Sequence, residues 1–162
     1  MEHAIITNDN YTLFHICTNF QQIMTKSVDY SPLENILVNE IMTKPVISVD
    51  SFSTSSDAAK VMEDSKVGAI VVYENTKPVG IITDRDLAIK IAAHSYPLDT
   101  PVRRIMSSPL ITIPFDSTFR DAVDLMNVKK IRKLLVVNDT KVTGIITTTD
   151  LVNYLSGLTS VA

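Results

Sequence analysis

The feature that most limits the folds open to this chain of 162 residues is a segment that occurs twice. Shifting the sequence by 64 residues aligns Val38–Leu87 with Val102–Leu151 without a gap, and 20 of the 50 aligned pairs are identical. The most similar stretches are GIITDRDL (Gly80–Leu87) and GIITTTDL (Gly144–Leu151), which differ only in their two middle residues. A duplication of this kind predicts two copies of one supersecondary unit that stack on each other.

Each copy has a pattern typical of the order β-α-β-β-α. The β-branched runs Val46–Val49 and Leu110–Ile113 predict the first strands. Apolar residues at helical spacing then follow Thr54 and Thr118, and an aspartate three residues after each threonine indicates a capped helix start. Two further strands lead to a second helix that begins near Asp84 or Thr148. A short helix is also predicted ahead of each copy, at 33–41 and 101–105.

One copy alone would leave an apolar sheet face in water. Two copies related by a pseudo-two-fold axis and packed sheet to sheet would cover that face, which predicts an α+β fold. We therefore divide the chain into an N-terminal extension (1–32), repeat 1 (33–98), repeat 2 (99–158) and a C-terminal tail (159–162). The extension is interpreted as an added edge element or dimer contact, with a flexible tail as the alternative.

Composition favours an ordinary globular protein that acts in the cytoplasm. Apolar residues make up 45% of the chain, the net charge is −3 and the pI is about 5.5, so no overall basic surface predicts binding to nucleic acid or to a membrane. The basic segment at 129–133 is a local exception. No apolar run approaches the roughly 20 residues of a membrane span, and the start of the chain lacks a signal-peptide pattern. The single cysteine, Cys17, excludes an internal disulfide.

No catalytic or metal-binding pattern is recognisable in the sequence. Four glycines cannot supply a nucleotide-binding glycine loop, and neither GxGxxG nor GxxxxGK[ST] occurs. His3, His15 and His94 lack metal-ligand spacing. Cys17 and His15 have no third partner that would indicate a nucleophile. The sequence therefore predicts a protein that is not an enzyme and has no metal site.

Six segments together resemble a tandem pair of CBS domains over roughly Leu33 to Gly157. They are Ile41–Val49, Gly68–Val72 and Gly80–Leu87 in the first copy, and Ile105–Ile113, Lys130–Val137 and Gly144–Leu151 in the second. The resemblance implies a regulatory, energy-sensing module that requires no cofactor and binds AMP, ADP or ATP between the repeats, with S-adenosylmethionine as an alternative. It also implies homodimers and a regulated protein partner that the sequence does not name.

The Thr-x-x-Asp pairs Thr83/Asp86 and Thr147/Asp150 have two compatible interpretations. From the residues alone, each is a capping box in which threonine and aspartate satisfy backbone N–H groups at a helix start. The resemblance implies that each aspartate also accepts hydrogen bonds from the two hydroxyls of a ribose. The helix start would then offer N–H groups to a phosphate.

The resemblance also implies that each site combines both repeats. The Thr147/Asp150 site would place adenine near Ile47, Thr54, Ala58, Val67 and Gly68. The Thr83/Asp86 site would use Ile111, Thr118, Ala122, Ile131 and Arg132. Arg132 is the preferred phosphate ligand and Arg85 the second candidate, with a solvated surface cation as the alternative for each. Since the first-repeat counterparts of Arg132 and Lys133 are Gly68 and Ala69, the two sites are predicted to be unequal.

The sequence departs from the family pattern in two respects. Val71 and Leu135 stand where many CBS pairs carry proline, and Thr76 and Thr140 replace a turn glycine.

The alternative functions are a ligand-free dimerisation module and a nucleic-acid-binding protein that uses residues 129–133. The acidic balance of the chain argues against the second.

Overall fold

The computed structural model describes residue 33 and residues 35–159. The first half contains a short helix α1 (Val38–Ile41), β1 (Ser48–Asp50), α2 (Ser55–Ser65), β2 (Ala69–Glu74), β3 (Lys77–Thr83) and α3 (Asp84–Asp86), which continues as a π-helix (Leu87–Ala92). The second half contains a 3₁₀ turn (Val102–Arg104), β4 (Thr112–Pro114), α4 (Phe119–Lys129), β5 (Lys133–Asn138), β6 (Lys141–Thr147) and α5 (Thr148–Thr159). The predicted α+β class and the repeated β-α-β-β-α order are confirmed. The added edge element or dimer contact proposed for 1–32 lies outside the described residues.

Each half forms its own three-stranded sheet with the same pairing. β2 pairs in parallel with β1 and antiparallel with β3, and β5 does the same with β4 and β6. The prediction for the first strands was wrong in its limits, since β1 begins at Ser48 and β4 at Thr112 rather than two residues earlier. The carbonyls of Ile47 and Ile111 still accept from the Val71 and Leu135 N–H groups, but regular pairing begins only at Ser48 and Thr112.

Local sequence explains where the two long helices begin and end. The Thr54 hydroxyl accepts a hydrogen bond from the Asp57 N–H at 3.0 Å, and the Thr118 hydroxyl accepts one from the Asp121 N–H at 3.1 Å. Both helices thus begin with the predicted capping box. Each ends at a lysine in the left-handed conformation, Lys66 or Lys130. The hairpin turns that lack glycine place Asn75 and Asp139 at positive φ, which these residue types tolerate.

Strand alternation separates the interior into three apolar clusters. In β2, Ile70 and Val72 face the core of the first half, whereas Val71 lies in a cluster with Leu135 and Val142 of the second half. Residues Tyr73, Ile81, Val137 and Ile145 pack against this third cluster. Since successive side chains of a strand point to opposite faces, one face of each sheet covers its own helices and the other covers the opposite sheet. The predicted sheet-to-sheet packing is confirmed.

The segment ahead of each repeat packs on the other repeat. Val38 belongs to the core of the second half, and Val102 and Ile105 belong to the core of the first half. The backbone N–H of Val38 donates to the Ser117 carbonyl at 2.8 Å, and its counterpart, the Val102 N–H, donates to Ser53 at 2.9 Å. We name residues 36–43 and 100–107 the crossover segments.

The crossover segments are less helical than predicted. The helix expected over 33–41 covers only Val38–Ile41, and the helix expected over 101–105 is the 3₁₀ turn Val102–Arg104. The physical reason is that their backbone groups bond to helix starts and loops of the other half instead of to their own helical turn. For example, the Ile36 carbonyl accepts from the Phe119 N–H, and the Thr100 carbonyl accepts from the Ser55 N–H.

Candidate functional site

Two clefts lie between the repeats, at the places where β3 and β6 lead into their helices. Cleft 1 has a volume of about 500 Å³ and joins Thr147 and Asp150 of the second half to Ile47, Val67 and Gly68 of the first. All five residues were predicted for one site, and the structure brings them together. Arg132, predicted as a phosphate ligand, lines cleft 1 as well. The other lining residues were not predicted as site residues: Thr43, Pro45, Val46, Lys66, Ala69, Val71, Asp84, Lys133, Ile145, Thr148 and Thr149.

Cleft 2 is smaller, at about 310 Å³. It joins Thr83, Arg85 and Asp86 of the first half to Ile131 and Arg132 of the second, as the sequence predicted for the other site. Its remaining lining residues are Ile81, Asp84, Ile89, Lys90, Ser107, Lys130 and Lys133. The two clefts are therefore alike in framework and different in volume and charge.

In cleft 1, the Thr147/Asp150 pair forms a closed capping box. One carboxylate oxygen of Asp150, Oδ2, accepts from the Thr147 N–H at 2.7 Å and from the Thr147 hydroxyl at 2.6 Å. The Asp150 N–H donates back to the Thr147 hydroxyl at 3.2 Å. The second oxygen, Oδ1, accepts only from the Thr43 hydroxyl, at 3.1 Å, among the described residues. The cap and the predicted ribose contact are compatible, because the cap uses Oδ2 and leaves Oδ1 toward the cleft.

In cleft 2, the Asp86 carboxylate has an additional cationic partner. Its Oδ2 accepts from the Thr83 N–H at 3.0 Å and from the Thr83 hydroxyl at 2.7 Å, while Oδ1 lies 2.9 Å from the ammonium nitrogen of Lys90. Burial raises the pKa of the Asp86 carboxyl, but the hydrogen bonds from Lys90 and Thr83 outweigh that effect and hold the pKa below its ordinary value. Asp86 is therefore ionised and paired at neutral pH.

Sequence reasoning missed the two hydroxyls that reach these aspartates from the crossover segments. The Thr43 hydroxyl donates to Asp150 in cleft 1, and the Ser107 hydroxyl donates to Asp86 Oδ1 at 3.3 Å in cleft 2. The two residues are counterparts in the repeat. The sequence does carry a hydroxyl at both equivalent positions, which was a signal that could have been noticed. These hydroxyls reach the aspartates because each crossover segment packs on the other repeat.

The two predicted phosphate ligands are both lining residues of the clefts. Arg132 and Lys133 line cleft 1 as well as cleft 2, whereas Arg85 and Lys130 line cleft 2 only. Arg132 is exposed, and the structure records no ion pair between it and another described residue. Its guanidinium can bind two oxygens of a phosphate at once. The predicted role of Arg132 and Arg85 as phosphate ligands stays a prediction.

Five predicted site residues lie away from the cavities. Thr54 and Thr118 cap α2 and α4, Ala58 and Ala122 are fully buried residues within those helices, and Ile111 packs against the core of the second half. A ligand could reach the two alanines in this arrangement only if their neighbours moved. Contact between these five residues and a ligand stays a prediction, and in this structure each has a structural role.

Other kinds of site can be assessed for the described residues only. Within residue 33 and 35–159, no cluster of three or more His, Cys, Asp or Glu side chains could hold a metal ion. His94 packs beside the Tyr96 ring at 5.6 Å between ring centroids, while His3, His15 and Cys17 lie outside the described residues. In the same part of the chain, no helix has the length and apolar character needed to cross a bilayer.

Two repeats that exchange their entry segments around paired clefts define a tandem two-repeat module, and comparison with known proteins gives its family. The CBS domain model matches residues 38–93 and 102–157. This chain therefore belongs to the CBS domain family and carries two CBS domains in tandem, as the sequence predicted.

Two relatives show how far the similarity extends. The CBS domain-containing protein YhcV of Bacillus subtilis is 36% identical over 120 residues, which cover 74% of this chain and 86% of YhcV. An uncharacterized protein of Methanopyrus kandleri is also 36% identical, over 74% of this chain. The chain spans 62% of the length of that archaeal relative.

Solved structures confirm the fold. The CBS domain pair of protein MJ0100, solved in complex with 5′-methylthioadenosine and S-adenosyl-L-methionine, has a TM-score of 0.68 and 30% identity over 75% of this chain and 96% of that chain. A hexameric CBS-CP12 protein from bloom-forming cyanobacteria has a TM-score of 0.66 and 28% identity, covering 72% of this chain and 69% of that one. Similar CBS pairs thus include one that binds adenosyl compounds and one that assembles into a hexamer.

Proposed function

We propose that this chain is a non-enzymatic regulatory module that senses an adenine nucleotide or a related adenosyl ligand, and that cleft 1 is its principal binding site. The observation that carries the proposal is the composition of cleft 1. A carboxylate and a hydroxyl of the second half share a cavity of about 500 Å³ with apolar groups of the first half, and three cations, Lys66, Arg132 and Lys133, also line it. Cavities of this size suit small-molecule ligands.

Each part of an adenine nucleotide has a matching group in cleft 1. Ile47 and Val67 offer apolar contact to the faces of the adenine, and the backbone near Gly68 offers hydrogen bonds to its edge. Asp150 Oδ1 would accept from the ribose hydroxyls, since the Thr43 hydroxyl that now donates to it can rotate away. Arg132 and Lys133 would bind the phosphates. The adenosyl ligands of the MJ0100 pair support this ligand class.

A ligand in cleft 1 would touch both halves of the molecule at once. It would therefore favour the relative placement of the two halves that it fits best, and it would change a surface recognised by a regulated partner. Exposed apolar side chains on α5, Val152 and Leu155, support a homodimer in which such a change could be transmitted. The proposal also includes the cytoplasmic location expected from the sequence, where adenine nucleotides are abundant.

Asp150→Ala tests the proposal. We expect calorimetric titration of the wild-type protein with AMP, ADP, ATP and S-adenosylmethionine to show binding of at least one of them. We expect Asp150→Ala to weaken that binding about 10- to 100-fold, because it removes hydrogen bonds to a charged acceptor. Asp64→Ala, an exposed carboxylate of α2 outside both clefts, is the matched control. Failure of all four ligands to bind would refute the proposal.

The two alternative functions considered from the sequence would give different experimental results. A dimerisation module would form dimers whose thermal unfolding does not respond to any of the four ligands. A nucleic-acid-binding protein would bind RNA or DNA through Lys129, Lys130, Arg132 and Lys133, with an affinity that falls steeply when the salt concentration is raised.

A further inference from the structure

The aspartates of the two clefts, Asp86 and Asp150, differ in whether their second carboxylate oxygen is free to accept from a ligand, and the residue at one position causes this difference. In cleft 2, both oxygens of the Asp86 carboxylate already have donors from the protein. Thr83 supplies two hydrogen bonds to Oδ2, and Lys90 and Ser107 supply two to Oδ1. The Asp86 side chain is only 15% exposed, so the pair with Lys90 is shielded from bulk water on most sides.

Lys90 is held in place by a second contact. Its ammonium donates to the Ile105 carbonyl at 2.6 Å, and this carbonyl belongs to the crossover segment that packs on the first half. The Lys90 side chain therefore connects the π-helix, the Asp86 carboxylate and the crossover segment. Lys90 and Asp86 both line cleft 2, so the ammonium shares the cavity with the carboxylate.

The equivalent position in cleft 1 carries no cation. Tyr154 stands 64 residues after Lys90, and its ring packs on Phe119 with 6.1 Å between the ring centroids. Asp150 Oδ1 therefore keeps a single described donor, the rotatable hydroxyl of Thr43. The clefts also differ in volume, since cleft 2 measures about 310 Å³ and cleft 1 about 500 Å³.

We propose that Lys90 closes cleft 2 to nucleosides, so that each chain binds one nucleoside ligand, in cleft 1. This inference rests on the proposed function. A ribose in cleft 2 would have to displace an ammonium that is bound to both the Asp86 carboxylate and the Ile105 carbonyl, and the displaced cation would lose both partners. Lys90 is thus a specificity-determining residue, and the Thr-x-x-Asp pair in cleft 2 acts as a helix cap only.

Lys90→Met tests the inference by opening cleft 2. Equilibrium dialysis with radiolabelled AMP is expected to give one molecule bound per chain for the wild type and two for Lys90→Met at saturation. Lys129→Met removes a cation from α4 outside both clefts and is expected to keep the wild-type value of one. In the Lys90→Met background, Asp86→Asn and Asp150→Asn are each expected to return the value to one, because each removes a different site.

Three results would contradict the inference, and they are distinguishable. Binding of two AMP molecules by the wild type, or of one by a folded Lys90→Met protein, would overturn it while leaving the proposed function intact. Absence of AMP binding in the wild type and in both lysine variants would overturn this inference and AMP as the ligand in the proposed function. Lys90→Gln, which can still donate to the Ile105 carbonyl, is the second variant if thermal unfolding shows that Lys90→Met is not folded.

Discussion

The glycines of the two GIIT motifs are required by a close approach and not by backbone conformation. Neither Gly80 nor Gly144 has a positive φ. A Cβ atom at Gly144 would overlap the sulfur of Met42, and a Cβ atom at Gly80 would overlap the sulfur of Met106. Each methionine belongs to a crossover segment that bridges to the strand next to the glycine, through Thr43 to Ile145 and through Ser107 to Ile81. The glycines therefore make room for the exchange of the crossover segments.

At the residue scale, we predict that Gly144→Ala destabilises the protein by about 1–3 kcal/mol, because the added methyl group overpacks the site. The free energy of unfolding measured with urea checks this. Gly157→Ala is the matched control, since a Cβ atom there meets no heavy atom within 4 Å. Adding Met42→Ala should recover part of the loss by removing the overlapping side chain. Equal stability of Gly144→Ala and the wild type would contradict the prediction.

At the element scale, the long helices begin where a threonine and an aspartate cap each other. In α4, the Thr118 N–H and hydroxyl both donate to Asp121 Oδ2 at 2.8 Å. These bonds hold the pKa of the Asp121 carboxyl below its ordinary value of 3.8, against a small opposing effect of burial. A lowered pKa in the folded state means that the ionised carboxylate stabilises the fold above the ordinary pKa. That stabilisation is lost as the pH falls through the lowered value.

We therefore predict that acid destabilises the wild type more than Asp121→Asn. As the pH falls through the ordinary value of 3.8 and then through the lowered folded-state pKa, the wild type loses the contribution of the Asp121 carboxylate, which the asparagine variant never has. Thermal unfolding across this range measures the difference. Asp64→Asn, on the exposed side of α2, is expected to follow the wild-type curve. Parallel curves for Asp121→Asn and the wild type would show that this cap contributes no pH dependence.

At the scale of the whole molecule, neither half has a complete core of its own. The core of the first half includes Val102 and Ile105, which belong to the second repeat in sequence. The core of the second half includes Val38, which belongs to the first repeat in sequence. The sheets also cover each other through Val71 and Leu135. The two CBS domains thus share their cores, although the repeat makes them separate in sequence.

We predict that fragments cut at the proposed repeat boundary, 1–98 and 99–162, do not fold alone and recover structure when mixed. Each fragment lacks apolar groups that fill its core, and each exposes one face of its sheet. Circular dichroism during thermal unfolding of each fragment, of the mixture and of the full chain measures this. A cooperative transition in either isolated fragment would contradict the prediction, and the full chain supplies the reference transition.

Much of the fold could be predicted from the sequence because the relevant signals are local. The strand order follows from β-branched runs, the helix starts follow from Thr54 and Thr118, and the two-fold arrangement follows from the 64-residue repeat. The grouping of Thr147 and Asp150 with Val67 and Gly68 was available through the family resemblance. The use of Thr43 and Ser107 was not, because no local pattern shows that a crossover segment leaves its own repeat.

By itself, the sequence determined the elements, their order, the capped helix starts and the likeness of the two halves, since these depend on residues within a few positions of each other. The tertiary structure alone decided which half each crossover segment joins and how far α1 extends. It also decided that Lys90 bonds to Asp86 while Tyr154 packs on Phe119. The physical reason is that these outcomes depend on hydrogen bonds and packing between segments distant in sequence, whose partners become neighbours only in the folded chain.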